Sequence, residues 1–322
     1  MVRTGVLRAY GGELRRRLGR SMDNRFSALL TGLGITMLLQ SSTATAMMAA
    51  SFASRGLVTT AAALAIMLGA DIGTSLVAQV FSFKVPALSP LLILAGVIMF
   101  MTGSATRQRD LGRAVIGLGL VLLALQLLAG NAVPLRESVV VADIVVALDD
   151  APVMAAIVAA LLTLLSTSSL AVVLLVISFV QHELMSLPLA FALILGANLG
   201  SAGLPLVATA RSEPEARRVP LGNLFFRLAG VAVVLPLVPL LAPYVAVVES
   251  EPWRQVANFH TGFNLVLAVV FILLIGPVAK LCGRVLPDQP QADATVRPRY
   301  LDRSALESPT VAIANAARET LR

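Results

Sequence analysis

Apolar residues run in long stretches along this chain, and the polar positions that interrupt them recur. The stretches are roughly 28–54, 57–82, 87–104, 111–130, 152–180, 185–209, 219–245 and 254–280. Most approach the ~20 residues that carry a helix across a bilayer. The period-two alternation of a membrane β-barrel is missing, so helices are the expected spanning elements.

Shifting the chain by 127 residues exposes a duplication. Between 36–73 and 163–200, fourteen of 38 positions are identical without a gap. The identities include Thr36/Thr163, Ser41/Ser168, Ser42/Ser169, Ser51/Ser178, Gly69/Gly196 and Gly73/Gly200. Apolar composition alone would align leucines and alanines, not serine pairs and glycine pairs in one register. Each copy has two polar interruptions. The first is Gln40-Ser41-Ser42-Thr43, matched by Thr167-Ser168-Ser169-Leu170. The second is Gly69-Ala70-Asp71-Ile72-Gly73-Thr74, matched by Gly196-Ala197-Asn198-Leu199-Gly200-Ser201. Paired glycine-interrupted segments in two halves are the sequence mark of a transporter site.

Charge sets the expected topology. With the arginine-rich residues 1–26 cytoplasmic and 28–54 a re-entrant hairpin, Arg55 falls inside and Lys84 outside, the one mild exception. The loop of Arg107, Arg109 and Arg113 falls inside, and the acidic stretch of Glu137, Asp143, Asp149 and Asp150 outside. A second hairpin, 152–180, then leaves His182 and Glu183 outside, Arg211, Arg217 and Arg218 inside, Glu249 and Glu251 outside, and Lys280 and Arg284 inside. Letting the hairpins cross would put the arginine loop outside, which the positive-inside rule rejects. Two hairpins entering from opposite faces make the repeats inverted. The expected fold is therefore an all-α membrane protein of two inverted repeats, each with a re-entrant hairpin and a discontinuous transmembrane helix. The divisions are a basic cytoplasmic segment 1–26, a transport domain 27–282 and a cytoplasmic tail 283–322. Within the domain, repeat 1 covers about 27–104, repeat 2 about 111–245 and a final helix about 254–280. Helix 111–130 has no counterpart before the first hairpin, so the first copy is expected to be one helix short.

Composition agrees. The 322 residues are 57% hydrophobic and 13% charged, with mean hydropathy +0.85; soluble domains carry about 25% charged residues. The net charge of +7 comes from arginines in short loops rather than a basic groove with interleaved aromatics, so no nucleic-acid partner is expected. A lone Cys282 excludes a disulfide framework, and two distant histidines, His182 and His260, offer no metal site. The basic N-terminal stretch is too long, and the apolar run after it too continuous, for a cleaved signal. No nucleophile–base set lies in the membrane segments, so an enzyme is not expected, nor any cofactor beyond a transported ion.

The polar interruptions carry the candidate chemistry. A tip of hydroxyls, a carboxamide and free helix-end amides suits an oxyanion and a small hard cation. The alternative is that the serines and threonines only satisfy helix carbonyls or allow close packing. The candidate substrate- and ion-binding residues are Gln40, Ser41, Ser42, Thr43, Asp71, Thr74, Thr167, Ser168, Ser169, Asn198 and Ser201. Asp71, a carboxylate in an apolar segment, is expected to ligate a cation, pair with Arg227, or cap a half-helix starting near Gly73. Arg227 either grips phosphate bidentately or snorkels to the cytoplasmic edge. Asn223 and Asn264 join it as secondary candidates. His260 and Asn264, one turn apart, line the cavity or bond between helices, and His260 reads as structural.

Gln40-Ser41-Ser42, Gly69-Ala70-Asp71-Ile72-Gly73-Thr74, Gly196-Ala197-Asn198-Leu199-Gly200 and His260-Thr261-Gly262-Phe263-Asn264 resemble the sodium/phosphate cotransporter family, bacterial relatives of the type II cotransporters. The likeness covers about residues 20–282. It implies that the serines of both tips bind phosphate and sodium, with sodium as coupling ion, and that phosphate moves inward by symport. It also implies a multi-pass protein of the bacterial inner membrane with both termini cytoplasmic. Four positions depart from the family pattern: Thr43 and Leu170 replace the third serine of each tip, Thr167 replaces the glutamine, and Asp71 stands where Asn is usual. The tail from Tyr300-Leu301-Asp302 resembles the opening of a PhoU-like domain. Competing readings are a carrier of another oxyanion, a passive channel, and a non-transporting phosphate-regulatory protein. The sequence leaves the oligomeric state open.

Overall fold

A computed structural model describes residues 1–20, 24–83, 88–130, 137–288 and 309–320. Lys84 and Tyr300–Asp302 fall outside them. The regular structure described is α-helical throughout. In order the helices are α1 (Val2–Arg20), α2 (Arg25–Leu39), α3 (Ser42–Ser54), α4 (Thr60–Ser82), α5 (Leu88–Thr102), α6 (Thr106–Gly130) and α7 (Val139–Asp149). They continue with α8 (Pro152–Ser166), α9 (Ser169–Gln181), α10 (Leu187–Gly200), α11 (Gly203–Thr209), α12 (Pro214–Val248), α13 (Pro252–Val285) and α14 (Pro309–Thr320). Helices α1 to α13 form one compact unit, and α14 belongs to a separate C-terminal one.

The protein is an all-α membrane protein. Among the described residues, five helical spans are long and apolar enough to cross a bilayer: α4, most of α6, α10 with α11, α12 and α13. Helices α7 and α8 together make a sixth apolar stretch, bent by 116°. Large apolar side chains such as Leu91, Leu94, Met101, Val269 and Leu273 point outward, while Asp71, Arg227, Asn198, Asn223, His260 and Asn264 are buried. A soluble domain rarely exposes so much contiguous apolar surface, whereas lipid makes it harmless.

The duplication is a structural fact at the level of the backbone. Four described residues adopt positive φ, and they form two pairs separated by 127: Gln40 with Thr167, and Gly56 with Glu183. Ser41 and Ser168 then cap α3 and α9, each hydroxyl accepting from the amide three residues on at 3.2 Å. Thr59 and Ser186 cap α4 and α10 in the same way, again at 3.2 Å. The first arm of each pair packs along the helix after it, α2 on α4 and α8 on α10. Glycines permit this approach at matched positions. A Cβ on Gly69 would collide with the Leu29 carbonyl oxygen, and one on Gly196 with that of Ala156. Gly73 faces the Leu33 carbonyl oxygen, and Gly200 that of Ala160. Both carbonyl pairs are again 127 apart.

These contacts correct one expectation. The two Gly-Ala-Asx-x-Gly segments do not both break their helices. Helix α4 runs unbroken through Gly69–Thr74, whereas its counterpart ends at Gly200 and resumes at Gly203 as α11. In α4 the glycines serve close packing, and Thr74 and Ser75 return their hydroxyls to Ala70 and Ile72 carbonyls of the same helix. Asp71 therefore does not cap a half-helix.

Two further differences concern segments expected to lack membrane character. The acidic stretch 137–150 contains α7, capped by Ser138, because its acidic residues are interspersed with Val139, Val140, Ile144 and Val146. Residues 2–20 form α1, which packs against α6. Gly5 lies against Asp110 and Ala114, and the Arg107 guanidinium stacks 4.1 Å over the Tyr10 ring. The element preceding the first helix pair is thus α1.

Candidate functional site

Each helix pair presents a tip. At the first, Gln40 turns the chain through the left-handed region (φ 52°), which ends α2, and Ser41 opens α3. At the second, Thr167 (φ 57°) ends α8 and Ser168 opens α9. The first amides of a helix have no intrahelical acceptor. Of these amides, the Ser41 and Ser168 hydroxyls accept from those of Ala44 and Ala171. The amides of Ser42 and Thr43, and of Ser169 and Leu170, therefore start α3 and α9 with their partial positive charge available to an anion.

The tips are not equivalent in detail. At the first, Ser42 is buried, and Thr36 and Thr45 join their hydroxyls at 2.7 Å across the two arms. At the second, Val172 stands where Thr45 stands, and the Thr163 hydroxyl is buried without a partner. Thr167 is exposed and Ser168 and Ser169 are half-buried.

Away from the tips lies a buried polar cluster. Asp71 of α4, Asn198 of α10 and Asn223 and Arg227 of α12 converge, each no more than 4% exposed. Arg227 Nη2 donates to Asp71 Oδ1, and its Nε reaches Asp71 Oδ2 at 3.3 Å. Arg227 Nη1 donates to the backbone carbonyl of Asn198. In the carboxamide orientation that satisfies its neighbours, Asn223 donates to Asp71 Oδ2 at 3.1 Å and accepts from Arg227 Nε at 3.2 Å. Of the alternatives for Asp71, pairing with Arg227 is the one realised. Arg227 neither snorkels nor holds its fork free for phosphate, because that fork is engaged by the carboxylate.

The remaining candidates fall into place around this. The Asn198 side chain bonds the Ile194 carbonyl in its own helix, and Ser201 bonds the Asn198 carbonyl at 2.8 Å. The tips' hydrogen bonds stay within each tip, so they do not join the Asp71 cluster. On α13, Asn264 donates to the His260 carbonyl at 2.9 Å, not between helices. This leaves His260 Nδ1 and Asn264 Oδ1 buried and unpartnered. Each such atom costs about 1–3 kcal/mol, so α13 carries an unmet demand for polar partners. One turn away, Gln79 of α4 donates to Asn258 at 2.7 Å and to Thr261 at 3.3 Å. Sequence reasoning passed over Gln79, Asn258 and the Thr36–Thr45 pair. Gln79 could have been found as a carboxamide two turns beyond Asp71 in an apolar helix.

Two duplicated capped tips and, apart from them, a buried ion pair, inside a helical shell with an apolar exterior, define a polytopic membrane protein with a built polar centre. Residues 1–130 and 138–273 match the model of the Na+/Pi-cotransporter family, and the chain belongs to that family. It is 42% identical over its full length to a protein of Escherichia coli (strain K12) named "Putative inorganic phosphate export protein YjbB", covering 59% of that protein. The counterpart in Salmonella typhimurium is 41% identical over the same share. The uncharacterized protein YqeW of Bacillus subtilis (strain 168) is 25% identical over 287 residues, 89% of this chain and 93% of that one. The chain thus spans about three-fifths of the length of the Escherichia coli and Salmonella relatives. No solved structure matches it.

Proposed function

We propose that this protein carries inorganic phosphate across the bacterial inner membrane by alternating access, coupled to sodium. The observation that carries the reading is the pair of capped helix starts at Ser41 and Ser168, repeated in backbone angles and cap geometry. A helix N-terminus with unsatisfied amides is an anion site, and two related by duplication make a shared one. The family supports phosphate as the cargo. In this reading the helix pairs α2–α3 and α8–α9 are re-entrant hairpins entering from opposite faces. The repeats are inverted, the tips meet near the midplane, and both termini are cytoplasmic. The tip hydroxyls supply oxygen ligands for sodium.

Relatives named for phosphate export fit the same machinery, since a coupled carrier runs in whichever direction the summed gradients favour. The test is flux of radioactive phosphate in proteoliposomes under imposed sodium, potassium or choline gradients. Flux that follows the sodium gradient supports the reading. Flux equal in all three salts removes sodium coupling, and no flux in either direction removes the carrier.

A further inference from the structure

The oxygen atoms that surround the Arg227 guanidinium are those a small hard cation would choose. They are both carboxylate oxygens of Asp71, the Asn198 carbonyl and the Asn223 carboxamide oxygen. The Asn198 carbonyl lies at the C-terminal end of α10, just before the break at Ser201–Ala202. Helix C-terminal carbonyls carry partial negative charge, and at broken helices they coordinate transported cations. Three helices contribute: α4 from the first copy, α10 from the second, and α12. The charges close on one another. Asp71 brings one negative charge, its duplicate Asn198 brings none, and Arg227 brings one positive. All four residues are buried, so no bulk counterion completes the set.

We infer that this is a monovalent-cation site whose occupant is built into the chain: the Arg227 guanidinium sits where a sodium ion would otherwise bind. Arginine does not lose its proton in proteins, so this positive charge stays with α12 in every conformation. A cation that binds and leaves with the cargo couples flux to its gradient, and one tethered to α12 does not. The inference rests on the carrier reading for this consequence, that one fewer sodium moves per phosphate than the oxygen set would permit. A lower sodium count weakens inward drive, and each charge withdrawn at 100 mV lowers the attainable phosphate ratio about 50-fold.

The experiment needs no flux, so it stands apart from the carrier reading. Purified protein in detergent is assayed for equilibrium binding of radioactive sodium and for melting temperature in sodium against choline chloride. The variants are Arg227→Ala, Arg227→Lys and Asp71→Asn/Arg227→Ala. Emptying the site with Arg227→Ala should add about one bound sodium per chain over the parent and make the melting temperature rise with sodium. Arg227→Lys keeps a tethered cation and should add none. Asp71→Asn in the Arg227→Ala background should abolish the gain. Arg227→Ala that folds only when sodium is present is the same result in a stronger form. Arg227→Ala that binds no more sodium than the parent, or that no cation recovers, overturns the inference and leaves the pair as a structural clamp.

Discussion

Replacing Asp71 by Asn should destabilise this protein far more than removing the whole ion pair. The perturbation leaves the Arg227 charge in place, with the Asn198 carbonyl and the Asn223 carboxamide as its remaining acceptors. Both charged side chains are nearly inaccessible, at 3% and 2%, so water cannot compensate. Charge centres about 4 Å apart at an effective dielectric near 20 attract by about 4 kcal/mol. That agrees with the 3–5 kcal/mol typically lost when one partner of a buried pair is removed. In a chain of this size a kilocalorie shifts the melting temperature by roughly 2–4 °C, so Asp71→Asn should melt about 10 °C lower. Asp71→Asn with Arg227→Gln puts amides in place of both charges and should lose less than ~2 kcal/mol. The double-mutant cycle should therefore show coupling of at least ~2 kcal/mol. Melting is followed by circular dichroism of purified protein in choline chloride, so that sodium cannot replace the lost charge in the Arg227→Gln single variant of the cycle. Asp71→Asn melting within about 2 °C of the parent, or single and double effects that simply add, would refute the reasoning.

The duplicated contacts make further predictions. Gly69→Ala and Gly196→Ala drive a methyl into backbone carbonyls and should each cost ~2 kcal/mol or more; Gly262→Ala, with open space around it, should be neutral or stabilising in the same melts. Thr163→Val removes a buried hydroxyl that has no partner and should raise stability by about 1 kcal/mol, whereas Thr36→Val removes the 2.7 Å bond across the two arms, leaves the Thr45 hydroxyl only its 3.3 Å bond to the Ser41 carbonyl, and should lower stability by about 1 kcal/mol. At the loop between α12 and α13, Arg254 bonds the Glu249 carboxyl at 2.7 Å and holds its pKa below the ordinary value. Because the folded value is depressed, the stabilisation is present above the unfolded pKa near 4.3 and is lost as pH falls through the folded one. Glu249→Gln should therefore melt lower than the parent at neutral pH, with the gap closing below about pH 4; a gap independent of pH contradicts the pairing.

Much of this architecture is legible in the sequence because its constraints exclude ordinary apolar residues. A left-handed turn between two short helices, a serine cap, and a glycine pressed on a carbonyl leave marks that leucine and alanine cannot imitate. The register of 127 survives in the structure at Gln40/Thr167, Ser41/Ser168, Thr59/Ser186 and Gly69/Gly196. Glycine's ambiguity set the limit. Gly69 and Gly73 read as a helix break, but whether a glycine breaks a helix or admits a neighbour depends on the neighbour, here α2. Helix α7 is obscured in the sequence because its acidic residues mask a valine-rich helical segment. The use of Arg227 was undecided because its partners come from helices far away in sequence. The unpartnered His260 and Asn264 atoms arise only when α13 is packed.

The central claim, that phosphate is carried at two duplicated tips, is tested most directly by tip variants in the flux assay. Ser41→Ala and Ser168→Ala each remove one cap hydroxyl, and the double variant removes both. The account predicts that each single variant reduces sodium-dependent phosphate flux and that the double variant abolishes it, with melting temperature showing folded protein throughout. Undiminished flux in a folded double variant would contradict it.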